Sequence, residues 1–223
     1  MVYTRYTSAQ KEAHSCSESN CDLQLHHISY YDHISSGDSK QDSAAVMSYF
    51  EASCMRLMKD FPHIKQVYVQ SDNAKCYKTP ELIFAMFEIA QQNKLEILCY
   101  VHTGVQDGKG PIDGHFATAM KHISKFCAAG NNIVTPVDIV NALRANGGSN
   151  NYITEMVAIN QTKINAFLEK NGAIIKRLSF VKNHLEVQCD KCLNHVQGFH
   201  YSGVGCGMCR SLCPKVDEEE KEE

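Results

Sequence analysis

Two kinds of apolar spacing follow one another along the chain. Short runs rich in β-branched and aromatic residues predict strands. They are found at 23–31, 64–70 and 94–101, and in 64–70 apolar and polar residues alternate. Apolar residues at helical spacing predict helices with one buried face, and they are found at 43–59, 80–92 and 111–126. This alternation of strands and helices predicts an α/β domain with a layered sheet.

Proline and its neighbours mark the helix boundaries. Thr79-Pro80-Glu81 has the form of a helix start, with a capping threonine, proline at the first helical position and an acidic residue at the positive end. Pro111 and Thr135-Pro136 open two more predicted helices, the second of which ends near Gly147. Residues 151–171 are predicted to be helical as far as Asn171-Gly172.

Two further strands are predicted after that helix, at 173–180 and 184–189. The chain therefore divides into five segments. We expect a polar, poorly ordered start at 1–22, an α/β domain at 23–146, a helical and strand extension at 147–188, a cysteine-rich module at 189–213 and an acidic tail at 214–223.

The amino-acid composition limits the classes of protein to which this chain can belong. Hydrophobic residues make up 43% of the 223 residues, which is enough for a sizeable core. The net charge of -3 gives no bulk attraction to nucleic acid, so contact with DNA would need local basic clusters. No apolar run is long enough for a membrane span or a signal peptide, so we expect an intracellular protein, nuclear or cytoplasmic. The eleven cysteines then favour free thiols and metal ligands over disulfides. Four of them lie in or near apolar stretches and are expected to be core thiols, namely Cys54, Cys76, Cys99 and Cys127.

Two aspartates stand where site residues collect in α/β sheets. Asp72 follows the strand 64–70, and Asp113 lies in the first turn of the helix after strand 94–101. Converging carboxylates could hold Mg²⁺ or Mn²⁺, which prefer oxygen ligands. Aspartate is equally favoured as a turn residue after a strand and as a partner of the helix dipole. Spacing alone leaves both interpretations open.

The surroundings suit phosphate chemistry. Lys109 and Lys121 could contact a DNA backbone, and Gly110 lets a bulky ligand approach the main chain. His115 and His122 are seven positions apart, on one face of the predicted helix. Asp72 and Asp113 are the candidate catalytic residues, and Lys109, Lys121 and Gly110 are the candidate substrate-binding residues.

Two segments resemble a known family. "YVQSDNAKCYKT" and "DGKGPIDGHFATAMKHI" are similar to the second and third acidic motifs of a ribonuclease H-like family of transposases and transposon-derived proteins of animals. The resemblance covers about residues 25–145, and the stretch 107–114 is its most specific part. It implies that Asp72 and Asp113 are two of three acidic ligands for metal ions that support cleavage or transfer of DNA strands.

The chain departs from that family at its start. The ribonuclease H-like fold opens with a hairpin whose first strand carries the first catalytic aspartate, whereas one strand, 23–31, precedes the first helix here. Asp32 and Asp38 follow that strand, about 10 Å from where the first aspartate would lie, so neither is expected to replace it. We therefore expect an incomplete domain with weak or absent nuclease activity.

Paired cysteines near the end predict a second metal site. Cys189 and Cys192 form one C-x₂-C pair, and Cys206 and Cys209 form another. Two such pairs can bind Zn²⁺ tetrahedrally, leaving no open catalytic position. His195, His200 and Cys213 are alternative ligands, and reduced thiols without metal are the simpler interpretation. The alternative function is thus a non-catalytic, zinc-stabilised module that binds nucleic acid or protein.

The zinc interpretation predicts a stoichiometric metal. Chain purified without chelator should carry one tightly bound zinc, detected by elemental analysis, and Cys206→Ser should lose it because one thiolate of four is removed. Cys127→Ser, outside the two pairs, is the control. A metal-free preparation would rule the site out.

Overall fold

Strands and helices alternate through most of the chain in the computed structural model, which is mixed α/β. The structure describes residues 2–5, 26–37, 40–72, 74–102, 111–148, 151–178, 186–189 and 196–199. The described strands are β1 (Val2–Arg5), β2 (His26–Ser35), β3 (Gln66–Ser71), β4 (Glu96–His102), β5 (Tyr152–Val157), β6 (Glu186–Cys189) and β7 (Val196–Phe199). The described α-helices are α1 (Ser43–Asp60), α2 (Pro80–Gln92), α3 (Pro111–Ala128), α4 (Pro136–Arg144) and α5 (Gln161–Arg177).

The chain forms two compact units, and each contains one sheet. The first unit comprises Met1–Ser36 and Gly110–Met156, and its strands lie in the order β1-β2-β5. The second comprises Gly37–Lys109 and Val157–Glu223, and its strands lie in the order β3-β4-β6-β7. Each unit thus contains part of the segment 23–146.

The second unit is organised around α2. This helix connects the parallel strands β3 and β4, as a crossover must when two strands run the same way. Most side chains of α2 are buried, and Leu82 and Ile83 have no exposed surface. Helix α1 packs on α2, and the ring of Phe84 stacks on Phe167 of α5 at 5.8 Å. Apolar burial from three helices therefore stabilises this unit.

The first unit is built on β2. Strand β1 pairs antiparallel with it from Val2↔Ser29 to Arg5↔His26, and β5 is its other neighbour. Helix α4 packs against β2 and begins with a reciprocal capping box between Thr135 and Asp138. The guanidinium of Arg144 at the end of α4 donates to the Thr154 carbonyl of β5. These contacts connect α4 to the sheet of this unit.

Most of the predicted elements up to residue 147 are confirmed. The three strands and four helices appear with boundaries shifted by a few residues, and Thr79 and Thr135 cap as expected because their side chains accept from Leu82 N–H and Asp138 N–H. Strand β2 extends to Ser35, so Asp32 lies within it rather than after it. Strand β1 was not expected, and the pairing of 2–5 with β2 explains it.

The prediction for 151–180 was correct for a helix over 161–171 and wrong on either side of it. Residues Tyr152–Val157 form β5, the helix runs from Gln161 to Arg177, and there is no strand at 173–177. Asn160 caps this helix by accepting from Lys163 N–H, and Asn171 Nδ2 donates to the Phe167 carbonyl instead of ending it. Gly172 stays helical at a cost of about 1 kcal/mol. The apolar Ile175 and Leu178 are buried by helical spacing, not by a strand.

Cys54, Cys76, Cys99 and Cys127 form no disulfide, and they differ in exposure. Cys54 and Cys99 are buried as predicted, and Cys76 is half-buried. Burial, with the charge of Glu51 as a smaller cause, raises the pKa of the Cys54 thiol to about 12. Cys127 was predicted to be a core thiol, but it is exposed because it lies on the solvent side of α3. No helix within the described ranges is long and apolar enough to cross a membrane.

The burial of α2 predicts a difference between two isoleucines of the second unit. Ile83 is fully buried, whereas Ile174 is 42% exposed. Ile83→Ala should lower the free energy of unfolding by about 2–5 kcal/mol because it leaves a cavity. Ile174→Ala is the matched control and should cost well under half of that. Chemical denaturation measures both, and equal losses would contradict the described packing.

Candidate functional site

A hydrogen-bonded cluster lies at the carboxyl ends of β3 and β4. Ser71, the last residue of β3, is paired in register with His102, the last residue of β4. Ser71 Oγ lies 3.0 Å from His102 Nδ1 and 2.9 Å from Tyr100 Oη. Tyr100 is two residues before His102, so both rings lie on the same face of the strand. The parallel register therefore brings three polar side chains to one point.

The donor and acceptor roles within this cluster depend on the tautomer of His102. Tyr100 Oη lies 3.1 Å from the Tyr77 carbonyl, and Ser71 Oγ lies 2.9 Å from the Asp72 carbonyl; each carbonyl can only accept. Ser71 has one hydroxyl proton and lies within hydrogen-bond distance of Asp72 O, Tyr100 Oη and His102 Nδ1. In the tautomer of neutral His102 that carries its proton on Nδ1, the imidazole donates to Ser71 Oγ. The lone pair is then on Nε2, which is buried without a described partner.

Burial dominates the electrostatics of the cluster. The side chain of His102 has no exposed surface, and this desolvation lowers its pKa, with the charge of Lys78 acting in the same direction. The neighbouring Asp72 acts weakly in the opposite direction. Burial also raises the pKa of the Tyr100 hydroxyl. The cluster is therefore neutral near pH 7, with His102 holding Ser71 in position.

Asp72 itself lies just outside the cluster and is exposed. Its Oδ1 accepts from Ala74 N–H at 2.9 Å, which closes a turn between β3 and the 3₁₀ turn Lys75–Tyr77. This is the turn role that the sequence left open beside the metal-ligand role. One carboxylate oxygen is accordingly engaged by the main chain.

A second cluster lies in the first unit. His115 of α3 is only 7% exposed, and its Nε2 donates to Asp32 Oδ1 of β2 at 2.6 Å. The ring of Tyr30 stacks on the imidazole, with centroids 4.1 Å apart and planes 9° apart. The ring of Tyr152 meets it edge-on at 4.4 Å. A buried histidine thus connects α3 to both β2 and β5.

Asp113 lies on the same helix but on a different side. It occupies the first turn of α3, as predicted, and it is exposed. Residues two positions apart on a helix are separated by about 200° around its axis. Because His115 faces Asp32, Asp113 faces away from that contact. Asp113 and the carboxylate of Asp32 therefore lie on different sides of α3.

The remaining predicted site residues have mixed outcomes. Lys121 is exposed on α3, and His122 is half-buried. Lys109, Gly110, Asp38, Cys192, Cys206 and Cys209 lie outside the described residues, as does the side chain of Cys189. Asp72 and Asp113 belong to different units. Across the described ranges, no three histidine, cysteine, aspartate or glutamate side chains are gathered as a metal-ion site would require.

Four residues of the two clusters were missed from the sequence, namely Tyr30, Tyr100, His102 and Tyr152. His102 gave a usable signal, since a histidine ending the apolar strand "EILCYV" must be either buried and bonded or functional. Tyr30 and Tyr152 gave none, because their contact with His115 depends on sheet order. Strand order is not encoded in local periodicity.

Comparison of the chain with models of protein families, with curated proteins and with solved structures finds no significant match.

The lowered pKa of His102 predicts a pH dependence of stability. Unfolding releases the imidazole to its ordinary pKa near 6.5, so the unfolded state binds the proton first as pH falls. The free energy of unfolding should therefore decline below about pH 6.5. His102→Asn, which keeps a donor near the Nδ1 position, should make the decline shallower but not abolish it, because burial also lowers the pKa of His33.

His63→Asn is the matched control for the loss of one imidazole, since His63 is exposed in the same unit. Chemical denaturation at a series of pH values gives the slope of the free energy of unfolding against pH for each variant. An unchanged slope in His102→Asn would show that this histidine is protonated equally in both states.

Proposed function

We propose that this chain is a transposase-derived ribonuclease H-like domain that binds DNA without cleaving it. The main support is the resemblance of the segments around Asp72 and Asp113 to acidic motifs of that family. The mixed α/β order is compatible with it, since parallel β3 and β4 flank a crossover helix and the second aspartate follows in the first turn of α3. Asp72 and Asp113 would then be retained from an ancestral transposase whose ability to hydrolyse DNA has been lost.

The main observation against nuclease activity is the Asp32–His115 hydrogen bond. A ribonuclease H-like site needs a third carboxylate beside the two inherited ones. Asp32 is the described aspartate whose strand contacts α3, and its Oδ1 is engaged by a buried imidazole at 2.6 Å. Because His115 and Asp113 face different sides of the helix, Asp32 is unsuited to join Asp113 around one ion.

Binding to DNA would use local basic side chains, because the net charge of -3 provides no general attraction. Lys121 is exposed on the helix that carries Asp113, where it can contact a phosphate. Each phosphate contact releases counterions, so its loss should lower the dependence of affinity on salt.

We expect no cleavage of DNA in Mg²⁺ or Mn²⁺ beyond that of Asp113→Asn, together with salt-sensitive DNA binding. Lys121→Ala should weaken binding a few-fold and lower the slope of log K against log salt by about 1, because one phosphate contact is lost. Fluorescence anisotropy at several salt concentrations measures this. Lys59→Ala, an exposed lysine near the end of α1, is the matched control.

Two results would contradict the proposal separately. Metal-dependent cleavage that disappears in Asp113→Asn would show an active enzyme with a third ligand elsewhere in the chain. Binding that is absent, or equally sensitive to Lys59→Ala and Lys121→Ala, would remove DNA as the partner of α3.

A further inference from the structure

The outer edge of β3 has no strand beside it among the described residues. In the order β3-β4-β6-β7, β3 is terminal and pairs with β4 alone. Natural edge strands are usually blocked by lysine, proline, a bulge or a covering element. Residues 66–70 contain no charge and no proline. The single irregularity in the β3–β4 pairing is between Val67 and Tyr68, where the register skips Leu98 of β4 and leaves β3 regular.

The backbone of β3 presents a complete set of hydrogen-bonding groups at that edge. The Lys65 carbonyl accepts from Glu96 N–H, so Lys65 faces β4. Successive residues of a strand turn their backbone groups to opposite edges. Gln66, Tyr68 and Gln70 therefore direct both their N–H and C=O groups outward, away from β4.

The sequence of this strand is self-complementary. Residues 66–70 read Gln-Val-Tyr-Val-Gln, which is the same in both directions about Tyr68. Side chains on β3 alternate between exposed and half-buried, with Gln66, Tyr68 and Gln70 on the exposed face. Tyr68 is 77% exposed, so its ring is accessible to a second chain.

From this symmetry we propose that β3 pairs antiparallel with β3 of a second copy of this chain, about a two-fold axis through Tyr68. The axis places Tyr68 opposite its own copy, Gln66 opposite the second copy's residue 70, and Val67 opposite its residue 69. In such a pair, side chains that lie opposite each other are on the same face of the sheet only if the two-fold axis is level with a residue. With the axis at Tyr68, each tyrosine, valine and glutamine lies opposite a residue of its own type.

This register also satisfies the backbone. The three residues that direct their groups outward become the three hydrogen-bonded pairs of the new ladder, so every outward N–H meets a carbonyl. The ends of the segment are complementary in charge, because Lys65 precedes the strand and Asp72 follows it. Antiparallel pairing brings Lys65 of one copy beside the Ser71–Asp72 end of the other. The product is a continuous sheet through both copies, closed by one two-fold axis.

The test places opposite charges at position 68 of the two copies, and its outcome does not depend on the proposed function. The parent chain should show a monomer–dimer equilibrium in sedimentation over a concentration series. Tyr68→Lys and Tyr68→Glu should each weaken dimerisation at least about tenfold, equal to about 1.4 kcal/mol, because like charges face each other at the axis. An equimolar mixture of the two variants should restore the dimer as a heterodimer.

Met55→Lys and Met55→Glu are the matched controls, since Met55 is 61% exposed on α1 of the same unit, and they should leave dimerisation unchanged. The double variant Gln66→Lys with Gln70→Lys tests the same edge without altering Tyr68, and it should also weaken the dimer. A monomeric parent, a dimer indifferent to the β3 variants, or a mixture that stays monomeric would each overturn the proposal.

Discussion

The parallel pairing of β3 with β4 is the constraint on which the second unit depends. Parallel neighbours require a crossover between them, and here the crossover is α2, the most deeply buried helix described. The same register aligns Ser71 with His102 and so creates the polar cluster at the strand ends. One pairing thus determines both where the apolar core lies and where the buried polar groups meet.

In the first unit, a single side chain has a comparable role. His115 is held by a carboxylate from β2 and by two tyrosine rings, one from β2 and one from β5. A buried imidazole with one committed nitrogen orients the helix that carries it, because rotation of the helix would break the hydrogen bond and the ring stacking together. The exposed side of α3, with Asp113 and Lys121, is therefore presented in a fixed orientation relative to its own sheet.

Local chemistry was sufficient to predict much of this structure. Capping threonines, prolines at first helical positions and alternating β-branched residues correctly predicted the elements from Ser43 to Arg144. The prediction failed at 151–180 in two respects: it overlooked the short strand Tyr152–Val157, and it ended the helix at Gly172, which is helical. The positions of Asp72 and Asp113 were predictable because they depend on the ends of adjacent elements. The Asp32–His115 contact was not, because it joins residues 83 positions apart through the order of strands in a sheet.

The thiols of Cys54 and Cys127 differ in burial, and this difference makes local opening of the second unit measurable. Cys54 is buried and its pKa is raised to about 12, so almost no thiolate exists there at neutral pH while α1 stays packed. Cys127 is exposed on α3 and open to electrophiles in the folded state. Alkylation of the first thiol therefore requires α1 to separate from its neighbours, whereas alkylation of the second does not. The ratio of the two alkylation rates therefore reports how often the second unit opens.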